Sequence, residues 1–92
     1  MKANKQRQSL FRRAHLPTAG ELQGRITVVQ EDRFRLEDGD GRGYLLTLSR
    51  KSGVSLADLE AWHRGGVPVH VRYEGMPDLG ALAERIKPAG SP

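Results

Sequence analysis

The amino-acid sequence predicts an all-β domain of five strands with one short helix between the third and fourth. Three observations carry this reading. Apolar and polar residues alternate in four short segments, the period of two expected of half-buried strands. Eleven glycines and five prolines in 92 residues favour tight turns over long helices. Only one segment, Ser55–Arg64, combines helical spacing with helix-end signals.

The first strand is Glu21–Gln30, with Leu22, Ile26 and Val28 on one parity and Gln23, Arg25, Thr27 and Val29 on the other. Gly24 interrupts it, and a glycine inside a strand marks a bulge or the close approach of another backbone. A strongly bent strand serving two parts of a curled sheet is therefore expected. The second strand, Arg33–Glu37, turns Phe34 and Leu36 inward and Arg33 and Arg35 outward. Asp38-Gly39-Asp40-Gly41-Arg42-Gly43 is almost wholly turn-forming and reads as a hairpin connection. The third strand, Tyr44–Ser49, carries Tyr44, Leu46 and Leu48 on one face and Leu45, Thr47 and Ser49 on the other.

In the helix, Ser55 and Asp58 have capping-box spacing, and Leu56, Leu59 and Trp62 form one apolar stripe. Gly65 and Gly66 stop it. A helix this short is held by packing rather than by its own propensity. The fourth strand, Val67–Glu74, points Val67, Val69, Val71 and Tyr73 inward, and Pro68 places its start at a sheet edge. Ala81–Lys87 suits a helical turn on propensity, but a closing sheet makes it the fifth strand. Val69, Val71, Phe34, Leu46 and Leu59 are expected in one contiguous core.

Three strands, a helix and two more strands over residues 21–88 resemble the OB-fold superfamily, which implies a small five-stranded OB-like Greek-key barrel with the helix between its third and fourth strands. The mid-strand Gly24, the glycine-rich hairpin and the capped helix ending at Gly65-Gly66 carry the resemblance. It is one of architecture, and no family-specific residue transfers with it. An SH3-like barrel is the alternative, and the mid-chain helix counts against it.

The net charge of +4 divides unevenly. Residues 1–20 hold Lys2, Lys5, Arg7, Arg12 and Arg13 and no acid, whereas residues 21–92 hold ten basic and eleven acidic side chains, a net of −1. The first twenty residues read as a flexible basic tail, with too little apolar surface to offset the entropy of ordering. Such a tail raises the encounter rate with polyanions, aids solubility, or docks a short turn carrying Leu10, Phe11 and Leu16. Residues 89–92 are expected to fray.

Catalytic chemistry is thin. No cysteine supplies a nucleophile, a disulfide or a zinc thiolate, which fits a reducing, cytoplasmic setting. No run is long enough to span a bilayer, and no apolar h-region follows the basic start. His15, His63 and His70 lack metal-ligand spacing. His63 reads as a helix-end residue, and His70 as part of a solvated strand face beside Arg72. Glu37, Asp38 and Asp40 suggest a calcium loop, yet Arg42 occupies a ligand position. Gly39, Gly41 and Gly43 lack the Lys-Ser/Thr pair of a phosphate loop. The expectation is a non-catalytic monomer without metal or cofactor.

The OB resemblance implies a ligand face over the second and third strands. That face carries Arg33, Arg35, Leu45 and Thr47, with Gln30, Arg42, Met76 and Leu79 at the rim and Tyr44 as the one stacking ring on offer. Arginines pair with phosphates and stack on bases, so weak, sequence-tolerant binding of single-stranded RNA or DNA is expected, aided by Lys2, Lys5, Arg7, Arg12 and Arg13. Few aromatics, a crowd of acids on the hairpin and the −1 balance count against it. The alternative is a protein-interaction module that docks through Leu45, Met76 and Leu79 and is guided by its tail to an acidic partner or a ribonucleoprotein. Deleting residues 1–18 is expected to leave the melting temperature nearly unchanged in a calorimetric scan. A shift of many degrees would show Leu10, Phe11 or Leu16 docked on the barrel.

Overall fold

A computed structural model describes residues 18–77 and 80–89. Among the described residues the chain is all-β apart from one α-helix and a short 3₁₀ turn. Its strands are β1 (Ala19–Gln30), β2 (Arg33–Glu37), β3 (Gly43–Leu48), β4 (Pro68–Glu74) and β5 (Ala81–Pro88), with helix α1 (Leu56–Gly65) between β3 and β4. A 3₁₀ turn at Arg50–Ser52, not anticipated from the sequence, follows β3. The sheet closes as a barrel in the order β1-β2-β3-β5-β4, with β4 returning to β1. All pairings are antiparallel except the short β3–β5 contact, where Leu46–Leu48 run parallel to Ala81–Ala83.

Closure depends on β1. Its first half pairs with β4 and its second half with β2, and Arg25 pairs with both Pro68 and Glu37. Gly24 stands at that junction, where a Cβ would collide with the Glu37 carbonyl. The expected close approach is thus present, but the bulge lies further on, between Ile26 and Val28. One extra residue reverses the alternation. Ile26 therefore points into the core, Val29 packs against it, and Val28 is 49% exposed instead of sharing the face of Ile26. A second irregularity, at Arg72–Tyr73 opposite Ala83–Arg85, does the same in β5. Ala81, Ala83 and Ile86 are buried, and Leu82 faces out.

The expected core is found: Phe34, Leu46, Val69, Val71 and Leu59 belong to one cluster, joined by Leu36, Tyr44 and Tyr73. The helix begins with a reciprocal capping box. Ser55 Oγ accepts from the Asp58 amide at 3.1 Å, and the Ser55 amide donates to Asp58 Oδ2 at 3.0 Å. It ends at Gly66 in the left-handed region, φ 61°. Its apolar stripe is narrower than the spacing predicts, because Leu59 is buried and Trp62 partly buried while Leu56 is exposed. Arg25 Nε donates to the Gly66 carbonyl at 2.9 Å and so ties the helix end to β1.

The boundaries move slightly. Ala19 and Gly20 belong to β1 rather than to a tail, and the Ala89 amide donates to Pro68 O instead of fraying. Residues 1–17, including Lys2, Lys5, Arg7, Arg12 and Arg13, and residues 90–92 lie outside the described residues.

The junction makes Gly24 the most sensitive glycine. Gly24→Ala should destabilise by about 1–3 kcal/mol, the range for overpacking against a backbone that cannot retreat. Gly39→Ala, with open space around it, should change stability by no more than about 0.5 kcal/mol. Urea unfolding of both variants checks this, and equal effects would remove the steric role of Gly24.

Candidate ligand-binding groove

A recess of about 450 Å³ lies over β2 and β3, where the sequence places the ligand face. Cross-strand register builds it. Gln30, Arg33 and Thr47 form one row, and Val28, Arg35 and Leu45 the next. Phe34 and Leu46 form the floor, and Gly80 opens one side. The Leu45 amide donates to the Pro77 carbonyl at 3.0 Å, which holds the β4–β5 connection against β3. Thr47 pairs with Leu82, so that residue extends the same outer face.

Of the sequence-selected residues, Arg33, Arg35, Leu45 and Thr47 converge here. Their chemistry differs from one another. The Arg35 guanidinium donates to Thr27 Oγ1 at 3.0 Å, stands 3.9 Å from Glu37 Oε2 and lies over Gly43. It is tethered away from the row that Arg33 occupies. The Arg33 side chain makes no hydrogen bond or salt bridge among the described residues. Leu45, 53% exposed, and Val28 give the groove apolar walls.

Tyr44 does not serve as a stacking platform. It is only 4% exposed, and its hydroxyl donates to Asp38 Oδ2 at 2.9 Å. Its inward parity in β3 placed it in the core, as the strand alternation demands. Arg42 sits in the hairpin turn with its guanidinium 5.5 Å from the Tyr44 ring centroid and does not line the groove. Met76 is exposed beside Pro77, and Leu79 lies outside the described residues. The sequence reading missed Val28 and Leu82, and adjacent Val28 and Val29 were the one available sign of broken alternation.

Asp38 serves the hairpin turn. Asp38 Oδ1 accepts from the Asp40 and Arg42 amides at 2.9 and 3.0 Å. These bonds, the Arg42 amide first and the Tyr44 hydroxyl after it, hold the Asp38 carboxyl below its ordinary value. His63 is exposed in the last turn of α1, as expected. His70 is not merely solvated: its Nε2 lies 2.6 Å from Glu21 Oε1. That contact is the main reason the Glu21 carboxyl also lies below its usual value. Among the described residues no group of His, Asp or Glu is arranged to hold a metal ion, and no helix is long and apolar enough to cross a membrane.

No protein-family model matches the chain, and no curated protein or solved structure shows significant similarity to it.

Because the Asp38 value is lower folded than unfolded, its carboxylate stabilises the fold above the ordinary Asp range. That contribution disappears as pH falls through the folded-state value. Asp38→Asn should therefore lower the melting temperature at neutral pH, with the gap to wild type closing in acid. Circular dichroism melts across pH check this, and a gap independent of pH would refute the role of the charge.

Proposed function

We propose that the chain is a non-catalytic binding module of the OB-fold class that docks on another polypeptide through the groove over β2 and β3. The strand order β1-β2-β3-β5-β4, closed on β1, with a helix between β3 and β4, supports the class. The position of the recess agrees with where such barrels take ligands. One observation carries the choice of partner: Val28, Leu45 and Leu82 are all more than 40% exposed on one continuous outer face. Clustered exposed apolar residues mark interaction surfaces, whereas scattered ones need no explanation.

Single-stranded nucleic acid in this groove is the second reading, supported by the unpaired Arg33 at the usual oligonucleotide face. Aromatic stacking, worth about 1–3 kcal/mol per base, has no exposed ring to use in this groove. An apolar peptide needs none.

Peptides selected by display on the wild-type protein provide the test. Their nuclear magnetic resonance shifts should map to Val28, Leu45, Thr47 and Leu82. Leu45→Asp, a change at an exposed position, should weaken them at least about tenfold, the equivalent of 1.4 kcal/mol. Peptides that perturb another face would overturn the assignment. An oligonucleotide that perturbs this face, with loss on Arg33→Gln, would establish the second reading instead.

A further inference from the structure

The side of the barrel away from the groove has a different chemistry. The outward residues of β4 and β5 and of the first half of β1 form two rows, Glu21–Arg72–Arg85 and Gln23–His70–Lys87. Lys51 and Ser52 of the 3₁₀ turn border the same shallow recess. Arg72, Arg85, Lys87 and Lys51 are exposed, and none is in salt-bridge contact with a carboxylate of the described residues. Glu21 is the one acid lining the recess among the described residues, and its carboxylate lies 2.6 Å from His70 Nε2. Glu74 stands one row beyond, opposite Ala19.

From this arrangement we infer that the β1–β4–β5 face binds the phosphodiester backbone of a nucleic acid. Charge complementarity argues for a polyanion. Arg72 and Arg85 stand opposite each other in the β4–β5 register, and Arg85 and Lys87 occupy successive outward positions of β5, about 7 Å apart. Several cations on one sheet face suit the regularly repeated charges of a phosphodiester backbone, and arginine pairs with phosphate bidentately.

The basic face meets β1 near its start, at Glu21 and Gln23. The groove meets β1 at its opposite end, at Val28 and Gln30. This face goes beyond the groove reading and does not rest on it. A protein that docks through the groove leaves the β1–β4–β5 side free.

Fluorescence anisotropy of the full chain on a labelled single-stranded oligonucleotide, titrated with salt, tests the inference. The triple variant Arg72→Gln, Arg85→Gln, Lys87→Gln should flatten the plot of log K against log salt by about 2, at roughly 0.7 per lost contact. All three side chains are exposed, and an unchanged circular dichroism spectrum verifies folding. Glu21→Gln should tighten binding, on the order of fivefold at low salt, a gain that misfolding cannot produce. Arg33→Gln should leave the slope unaltered. The inference falls if the triple variant keeps the wild-type slope, or if Arg33→Gln accounts for the loss. It falls equally if polyglutamate of matched charge competes as well as the oligonucleotide, which would assign the face to acidic proteins. Failure of Leu45→Asp to affect peptide binding would count against the groove alone.

Discussion

The barrel closes through β1, whose first half pairs with β4 and whose second half pairs with β2, and the exchange of partners falls at Gly24 and Arg25. The Glu37 carbonyl occupies the space a Cβ would need, so the exchange depends on the missing side chain. Everything that distinguishes the two sides of the barrel follows. Before the exchange, outward positions of β1 join β4 and β5; after it, they join β2 and β3. The bulge past Ile26 then sends Val28 outward into the groove while Val29 keeps the core filled. A regular strand would have buried Val28 and left the groove without one apolar wall.

The same division resolves the charge. A balance of −1 over residues 21–92 describes no surface of the folded molecule. Asp38 is spent on the amides and the hydroxyl of its own hairpin. Arg35 is held by Thr27 and Glu37. By contrast Arg72, Arg85 and Lys87 share one sheet face because β4 and β5 bring distant residues into register. Averaging over sequence hides that separation, since local composition is blind to strands that pair across long loops.

How much was legible follows from the range of each cause. Phe34, Leu46, Val69 and Val71 were placed in the core by a period of two, a local property of regular strands. The capping box was readable from Ser55 and Asp58, three residues apart. The groove could be located because Arg33, Arg35, Leu45 and Thr47 obey the same alternation in paired strands. The faces of Val28 and Leu82 could not, because a single bulge inverts parity and is set by barrel closure rather than by neighbouring residues. The contact of His70 with Glu21 was hidden for a related reason, the 49 residues between partners.

Two faces of opposite chemistry on one small barrel also bear on affinity. The proposed groove contact would rest on a few apolar side chains, and the proposed contact of the β1–β4–β5 face on exposed, salt-screened cations; surface contacts of either kind are weak alone. On a partner that contains both polypeptide and nucleic acid, docking one face makes the second contact intramolecular. Effective concentrations in the millimolar range then multiply two weak contacts into useful avidity, provided both can be reached together. β1 is rigidly shared by the two faces, so no linker entropy is lost in presenting them.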